Sequence, residues 1–467
     1  MSGMGLRFIS CDRDQSFLMP PDLRDWLPED HLAWFVLAAV EEMDLWPFYA
    51  AHRVDGKSRP AYEPAMMVAL LLYAYARGIR SSRVIERACV EDIAFRVVAA
   101  QQRPDHATIA RFIERHEAAL AGLFGEVLLL CARSGLAKVG VIAIDATKVQ
   151  ANASRDANVD YEQLAREIIE EAKAIDAAED ELYGDRRGDE LPEELSTSQG
   201  RRGWLREAKR RLEAERDRSP QPVPRSRPKR VKEAKRRLEE ELWTECRANE
   251  AYERYRTGRM KDGRRFSRAP DPYTPPSTPQ GRINTTDPDS RVVKGLRGFI
   301  QGYNAQAVTN EHQIVLAAEV MTAGGDFGHL EPMLDATGRE LHAIGVEETP
   351  GVVLADAGYW HQRQMERAIA QGSQVLIPPD TGKRKTPRPG WTSGYYAFMR
   401  GVLASERGGE LYGRRQPMIE PVFGQTKHNR GMGRFHRRGR GAVRTEWRLI
   451  TATHNLLKLH RYALAAA

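Results

Sequence analysis

Cysteine is the scarcest chemistry-bearing residue of this chain. There are four in 467 residues, Cys11, Cys89, Cys131 and Cys246. None belongs to a CxxC pair, which excludes a zinc ribbon and a disulfide scaffold and leaves buried or neutral thiols in a reducing compartment. No HExxH or other metal-histidine spacing occurs. Long apolar runs are missing as well. The greasiest, AMMVALLLYAYA at 65–76, falls short of the roughly 20 residues that a bilayer span needs and reads as helix core. The opening MSGMGLRFISCDRDQ meets charge early and has no apolar secretion core, so the expectation is a cytoplasmic protein with no membrane partner.

What is present is charge and enough apolar material to fold. Apolar residues make up 41% and charged residues 29%, with 71 Lys+Arg against 64 Asp+Glu and a net charge of +7. Wholesale disorder is excluded, and the length allows roughly two to four domains. The positive balance fits a polyanionic partner. Its distribution matters more. Residues 155–195 hold 5 basic and 15 acidic side chains, 201–240 hold 16 basic and 7 acidic, and 426–461 hold 10 basic and 1 acidic.

Residues 17–135 read as several helices with short loops. A helix opens after Pro28-Glu29-Asp30-His31. Another has Pro64 in its first turn and stops at Gly78, and a third is capped by Ser81-Ser82. Helical periodicity resumes after Arg103-Pro104-Asp105-His106. The texture changes at Val139. VGVIAIDATKV, Gln313–Val320, Gly351–Ala355 and Gln374–Ile377 read as strands, with helices between the later ones, and Lys294–Val308 reads as a hairpin turning around Gly302. About 153–287 is a long interruption: charged helices supported by i,i+4 pairs, a break at SPQPVPRSRP, and a proline-rich linker, APDPYTPPSTPQGRI. WRLITATHNLLKLHRYAL ends the chain as an amphipathic helix.

Three acidic residues stand out. Asp145 follows four apolar residues, where a carboxylate is tolerated at a strand end facing a cleft but costly inside the strand. Asp356 repeats the arrangement in VVLADAGYW, followed by small residues that let a ligand approach the backbone. Glu420 precedes Pro421, which suits a first helical turn, so Glu420 is expected at a helix N-terminus with Lys427 seven residues on and on the same face. Two strand-end aspartates and a helix-borne glutamate suit a site for two Mg²⁺ ions, with Mn²⁺ as the alternative, catalysing phosphoryl transfer. Lys148 reads as a solvated lysine, with a phosphate contact as the competing role, Asp326 as a helix N-cap, with metal ligation as the competing role, and His361 as the start of a helix. Tyr359 and Trp360 read as core, with stacking on an extruded base as the competing role.

These residues carry a resemblance. AIDATKVQANAS, LADAGYW and IEPVFGQTKHNRGMGRFHRRG resemble the three acidic motifs of the DDE transposases of bacterial insertion sequences, in the insertion-sequence-four-like superfamily. PAYEPAMMVALLLYAYARGIRSSRVIERACVEDIAFRVVAAQQRPDHATIARF resembles that family's helical N-terminal domain. The likeness covers most of the chain outside about 155–280. It implies an α/β catalytic domain with a ribonuclease-H-like mixed sheet and flanking helices at 137–154 and 288–467. An all-α DNA-end-binding domain would precede it at 1–136, and a charged helical insertion would interrupt it at 155–287. It implies Asp145, Asp356 and Glu420 as catalytic, metal-holding carboxylates and Lys427 as a phosphate contact. The basic residues Arg430, Arg434, Arg437, Arg438, Arg80 and Arg83 are the further candidates for DNA binding. Two positions depart from the pattern. Ala146 stands where glycine is common, and the tyrosine and arginine implied at 413 and 416 are Gly413 and Gln416, with Tyr412, Arg414 and Arg415 adjacent.

The function so implied is cleavage at the ends of an insertion sequence and joining of the 3′-OH to target DNA. The partners are double-stranded terminal repeats and target DNA, the assembly a homodimer or larger synaptic complex, and the location nucleoid-associated. A ribonuclease-H-like nuclease without strand transfer and a catalytically inactive, transposase-derived DNA-binding protein are the alternatives. For the insertion, the basic helices around Arg201 to Arg237 are expected to contact DNA or a partner subunit, against a self-neutralising helical hairpin.

Overall fold

The computed structural model describes residues 22–51, 61–167, 222–257, 280–295, 298–380 and 392–466. The N-terminal part is helical, as its periodicity predicts: α1 (Leu32–Glu41), α2 (Trp46–Tyr49), α3 (Pro64–Ala76), α4 (Ser82–Glu91), α5 (Ile93–Val98), α6 (His106–Arg115) and α7 (Glu117–Arg133). Local chemistry sets the starts. His31 Nδ1 accepts from the Ala33 N–H, Glu63 from Met66 ahead of Pro64, and Asp105 from Thr108, each satisfying a donor that a helix start leaves open. Ser81 stands at the N-cap of α4, but its hydroxyl makes no capping bond. α3 is apolar on every side and buried from Met66 to Ala76, the pattern of a central helix.

The main sheet contains β1 (Val141–Gln150), β4 (Arg291–Gly295), β5 (Gly298–Asn310), β6 (Val315–Met321), β7 (Val352–Ala355) and β8 (Gln374–Leu376). A separate pair, β2 (Asn158–Asp160) and β3 (Arg282–Asn284), stands at the root of the insertion. The main order is β4-β5-β1-β7-β8, with β6 also on β5. β5 runs antiparallel to β1, β4 and β6, whereas β7 and β8 run parallel with β1. The hairpin expected to turn at Gly302 turns instead between β4 and β5, and Gly302 lies inside β5 opposite Gln150 and Arg291. Its role is close approach: a Cβ there would run into the Val149 carbonyl.

After the insertion helix α8 (Arg227–Thr257) come α9 (Leu330–Ala343), α10 (Gln362–Ala370), α11 (Gly394–Ala404), α12 (Glu406–Gly413) and α13 (Arg415–Gly424). A π-helical turn, Gln425–Asn429, follows α13, and α14 (Arg440–Ala466) ends the chain. α14 packs on β6 and on α7, α3 and α1, so one apolar core runs from the N-terminal helices through the sheet. A second small core, Val159, Leu164, Val231, Ala234, Leu238 and Ile283, holds α8 to the β2–β3 pair.

Candidate active site

β1 is longer than its apolar half. It continues to Gln150, so Asp145 lies mid-strand, not at a strand end. What ends there is the neighbour. The parallel pairing stops at Ile144 opposite Ala355, and β7 gives way to Asp356. The carboxylate is tolerated because the sheet opens beside it. Asp145 and Asp356, 211 residues apart in sequence, thus follow adjacent paired residues of neighbouring strands.

Both carboxyls are held above their ordinary value. Burial is the main cause for Asp145, opposed by Arg415 and reinforced by Asp356. For Asp356 burial leads and the nearby Asp326 adds to it. Arg415 donates from one guanidinium nitrogen to Asp145 Oδ2 at 2.7 Å and lies close enough to Tyr412 to oppose the rise that burial gives its pKa. Asp356 Oδ1 accepts the Gly358 N–H at 2.8 Å. A Cβ on Gly358 would sit 2.9 Å from that oxygen and 3.4 Å from Asp326 Oδ2, so glycine is what lets Asp326 lie beside Asp356.

Asp326 is not a helix N-cap; that position belongs to His329. Its Oδ1 accepts from Asn304 at 2.8 Å and from Lys148 at 3.2 Å, and Lys148 also donates to Asn304 Oδ1 at 2.7 Å. Lys148 is therefore part of the site and not a solvated lysine. Tyr359 and Trp360 are core, Trp360 stacked on Tyr396 with ring centroids 5.1 Å apart. The Tyr359 hydroxyl is buried without a hydrogen-bond partner, and the charges that push up its pKa after burial are Asp326, Asp145 and Asp356.

Glu420 stands in the middle of α13, exposed, and accepts from Gln416 at 3.0 Å. The expected helix start at Pro421 is wrong because α13 begins at Arg415. Pro421 sits inside the helix and leaves the Pro417 carbonyl without its helical donor; Gln313 Nε2 supplies one at 2.7 Å. The π-turn then carries Lys427, so the expected continuous α-helical face from Glu420 to Lys427 does not exist. Lys427 donates to Thr147 Oγ1 at 3.0 Å and to the Lys148 carbonyl at 2.9 Å. Among the described residues no group of three or more His, Cys, Asp or Glu is disposed to hold a metal ion. The structure brings Asp145 and Asp356 together, with Arg415 beside them, and carries Glu420 on the same helix as Arg415, bonded to Gln416.

The arginines divide. Arg80 is buried against Glu446, with side chains 5% and 0% exposed at 2.7 Å. Arg430 donates to Thr453, Thr426 and the Ile450 carbonyl, and burial pushes its pKa down to about 10. Arg437 pairs with Glu117 at 2.6 Å. These three are committed inside the protein, since polar groups removed from water must be paired there. Arg83, Arg434 and Arg438 are exposed.

Sequence reasoning missed Arg415 and Tyr412 as site residues. Their signal was present: they are three residues apart, like the tyrosine-arginine pair implied at 413 and 416, displaced by one position.

Residues 21–115 match a transposase domain (DUF772), and residues 380–460 match a transposase DDE domain. No curated protein and no solved structure matches the chain. The first match lies on the helical N-terminal part and the second on the helices that follow the sheet, α11 to α14. Together the two transposase matches, which cover less than half of the chain, support a DDE transposase of insertion sequences. Among the described residues no helix is long and apolar enough to cross a membrane.

Proposed function

We propose that this transposase cuts phosphodiester bonds at insertion-sequence ends and joins the 3′-OH to target DNA, using Asp145, Asp356 and Glu420 on a ribonuclease-H-like core. The observation that carries the reading is the apposition of Asp145 and Asp356 at the open edge between β1 and β7, with Arg415 bonded to Asp145. The strand order, with β7 and β8 parallel to β1 on one side and β5 antiparallel to it on the other, where β5 pairs antiparallel with β4 and β6, supports the core assignment.

A divalent cation suits the aspartate pair. Both carboxyls are half-buried and held above their ordinary value, a cost that a hard cation would relieve, and Arg415 already relieves part of it at Asp145. Asp145 and Asp356 would hold Mg²⁺ or Mn²⁺, with Glu420 as the third candidate. When bound, two such ions supply the charge that activates the attacking oxygen and stabilises the leaving one. Arg415 and Tyr412 orient Asp145, while exposed Arg83, Arg434 and Arg438 neutralise DNA phosphates. Because two element ends must be cut and joined together, the working form is a dimer or larger.

The test uses a duplex copied from the DNA that borders the gene. Asp145→Asn, Asp356→Asn and Glu420→Gln are each expected to lower Mg²⁺-dependent cleavage by several orders of magnitude and to retain DNA binding. A variant that cuts at the wild-type rate removes that residue from the site. Ends that are cut by the wild type but never joined reduce the enzyme to a nuclease.

A further inference from the structure

Beyond the aspartates, the end of β1 is tied to two other segments. The Gln150 N–H donates to the Gly433 carbonyl at 3.1 Å and the Phe435 N–H to the Gln150 carbonyl at 2.8 Å, so residues 433–435 run alongside it. Asn152 then gathers two arginines: its side-chain oxygen accepts from Arg434 at 3.2 Å and its carbonyl from Arg438 at 3.0 Å. On the other side the Ala151 N–H donates to the Gln301 carbonyl at 2.9 Å, and Arg155 donates to the Phe299 carbonyl at 3.1 Å. Phe299 belongs to the tip of the β4–β5 hairpin. Lys294 stands opposite it, and Val292 lies two residues along β4 on the same face. All three are exposed, Val292 by 49% and Phe299 by 58%. Asp145 pairs with Ala307, eight residues along β5 from Phe299, and an even spacing puts the aspartate on that face too. Arg155, Lys294, Arg434 and Arg438 are exposed, and none has a carboxylate partner among the described residues.

We propose that duplex DNA leaves the aspartates along β1 and is held at its far end by the β4–β5 hairpin, with Arg155, Lys294 and Phe299 as contacts additional to Arg434 and Arg438. This rests on the transposase reading above and gives the DNA a direction. Charge favours a polyanion over a protein partner: four cations without carboxylates surround an apolar pair, and Asp156, the acid of the stretch 150–156, is held by the Ser154 hydroxyl at 3.1 Å. Length fits as well. Eight residues of strand span about 27 Å, which is about eight base pairs of duplex at 3.4 Å each. Arg434, paired at Gln150, is five residues from Asp145, about 17 Å or five base pairs on the same scales. Arg434 and Arg438 would therefore meet phosphates before Arg155 and Lys294 do. The cations fix the backbone, while Phe299 and Val292 offer the deoxyribose an apolar surface. Because Asn152 and the backbone pairing already hold the two arginines, little order has to be gained on binding.

The experiment measures binding of the bordering-DNA duplex against salt in EDTA, after the cleaved bond has been mapped with the wild type in Mg²⁺. The double variant Arg155→Gln, Lys294→Gln is expected to lower the slope of log K against log salt by about 1.8, two phosphate contacts. Neutral methylphosphonates placed about seven to nine base pairs from the cleaved bond are expected to lower the wild-type slope by the same amount and to add nothing in the double variant. Phe299→Ser is expected to weaken binding several-fold at unchanged slope. An unchanged slope in the double variant overturns the assignment, as does a methylphosphonate loss that adds in full to the variant's own. If Phe299→Ser alters the sedimentation of the DNA-free protein and leaves DNA binding as it was, the hairpin face is a contact between copies of the chain and the assignment fails. A wild type that neither cuts the duplex nor binds it with salt dependence overturns the transposase reading as well, which separates the two failures.

Discussion

Glu446 has a carboxylate that is 0% exposed and accepts from Arg80 and from the backbone N–H groups of His436 and Arg437. It is the one acidic residue in a segment with ten basic ones, and it organises that segment from inside. Further arginines of the segment are also paired: Arg444 bidentately with Glu319 and Arg448 bidentately with Glu340, at 2.6–3.1 Å. A count of basic residues therefore overstates the charge offered to DNA. Removing one partner of a buried pair strands the other charge, at a cost of about 3–5 kcal/mol. Arg80→Met is accordingly expected to destabilise the fold by about that amount in urea unfolding, with the salt slope of DNA binding unchanged. A fall in slope without loss of stability would return Arg80 to the DNA-binding surface.

α14 joins the two ends of the chain, and His454 shows how tightly it is inserted. Its ring bonds the Gln313 carbonyl at 3.0 Å. Burial, helped by Arg430, pushes its pKa down to about 3 from 6.5. The unfolded chain takes up a proton near 6.5 and the folded one resists until about 3. The stability tied to this residue is therefore fully present above pH 6.5 and drains away as pH falls toward 3. Two units below 6.5 the loss is about 3 kcal/mol. His454→Gln is expected to lose less stability than the wild type between neutral pH and about pH 4.5 in denaturant titrations. Parallel curves would mean that His454 is protonated and paired in the fold.

Whole-molecule architecture depends on how the insertion is attached. β2 and β3 are antiparallel, with Asp160 opposite Arg282, so a short turn can close the gap. Several described basic residues of the insertion are paired, within it Arg227 with Glu167, Arg236 with Glu233 and Glu240, and Arg237 with Glu233, and beyond it Arg225 with Glu114 and Arg237 with Asp289. This favours the self-neutralising arrangement for that part. Residues 201–221, where the basic stretch begins, and most of the acidic stretch lie outside the described residues. Replacing 161–281 with a two-residue turn is expected to preserve cooperative thermal unfolding, because the insertion's core is separate from the main one. It is also expected to leave the salt slope of DNA binding unchanged. A lower slope would assign phosphate contacts to the 201–221 region.

The strands β1, β6, β7 and β8, the N-terminal helices and the aspartates 145 and 356 were legible in the sequence. Hydrophobic period, caps and Asp after an apolar run are local signals, and burial of the apolar face follows from them whatever the partner. The cluster around those aspartates was not legible. That Arg415 reaches Asp145 across a separation of 270 residues, that Lys148 and Asp326 meet on Asn304, and that Arg80 and Arg430 turn inward all depend on which elements pack together. A charged side chain's role is set by the partner that replaces its water, and that partner is chosen by the tertiary structure. Pro421 shows the same division: its missing N–H was certain from sequence, but its place inside a helix was decided by Gln313, which supplies a donor to the carbonyl it leaves open.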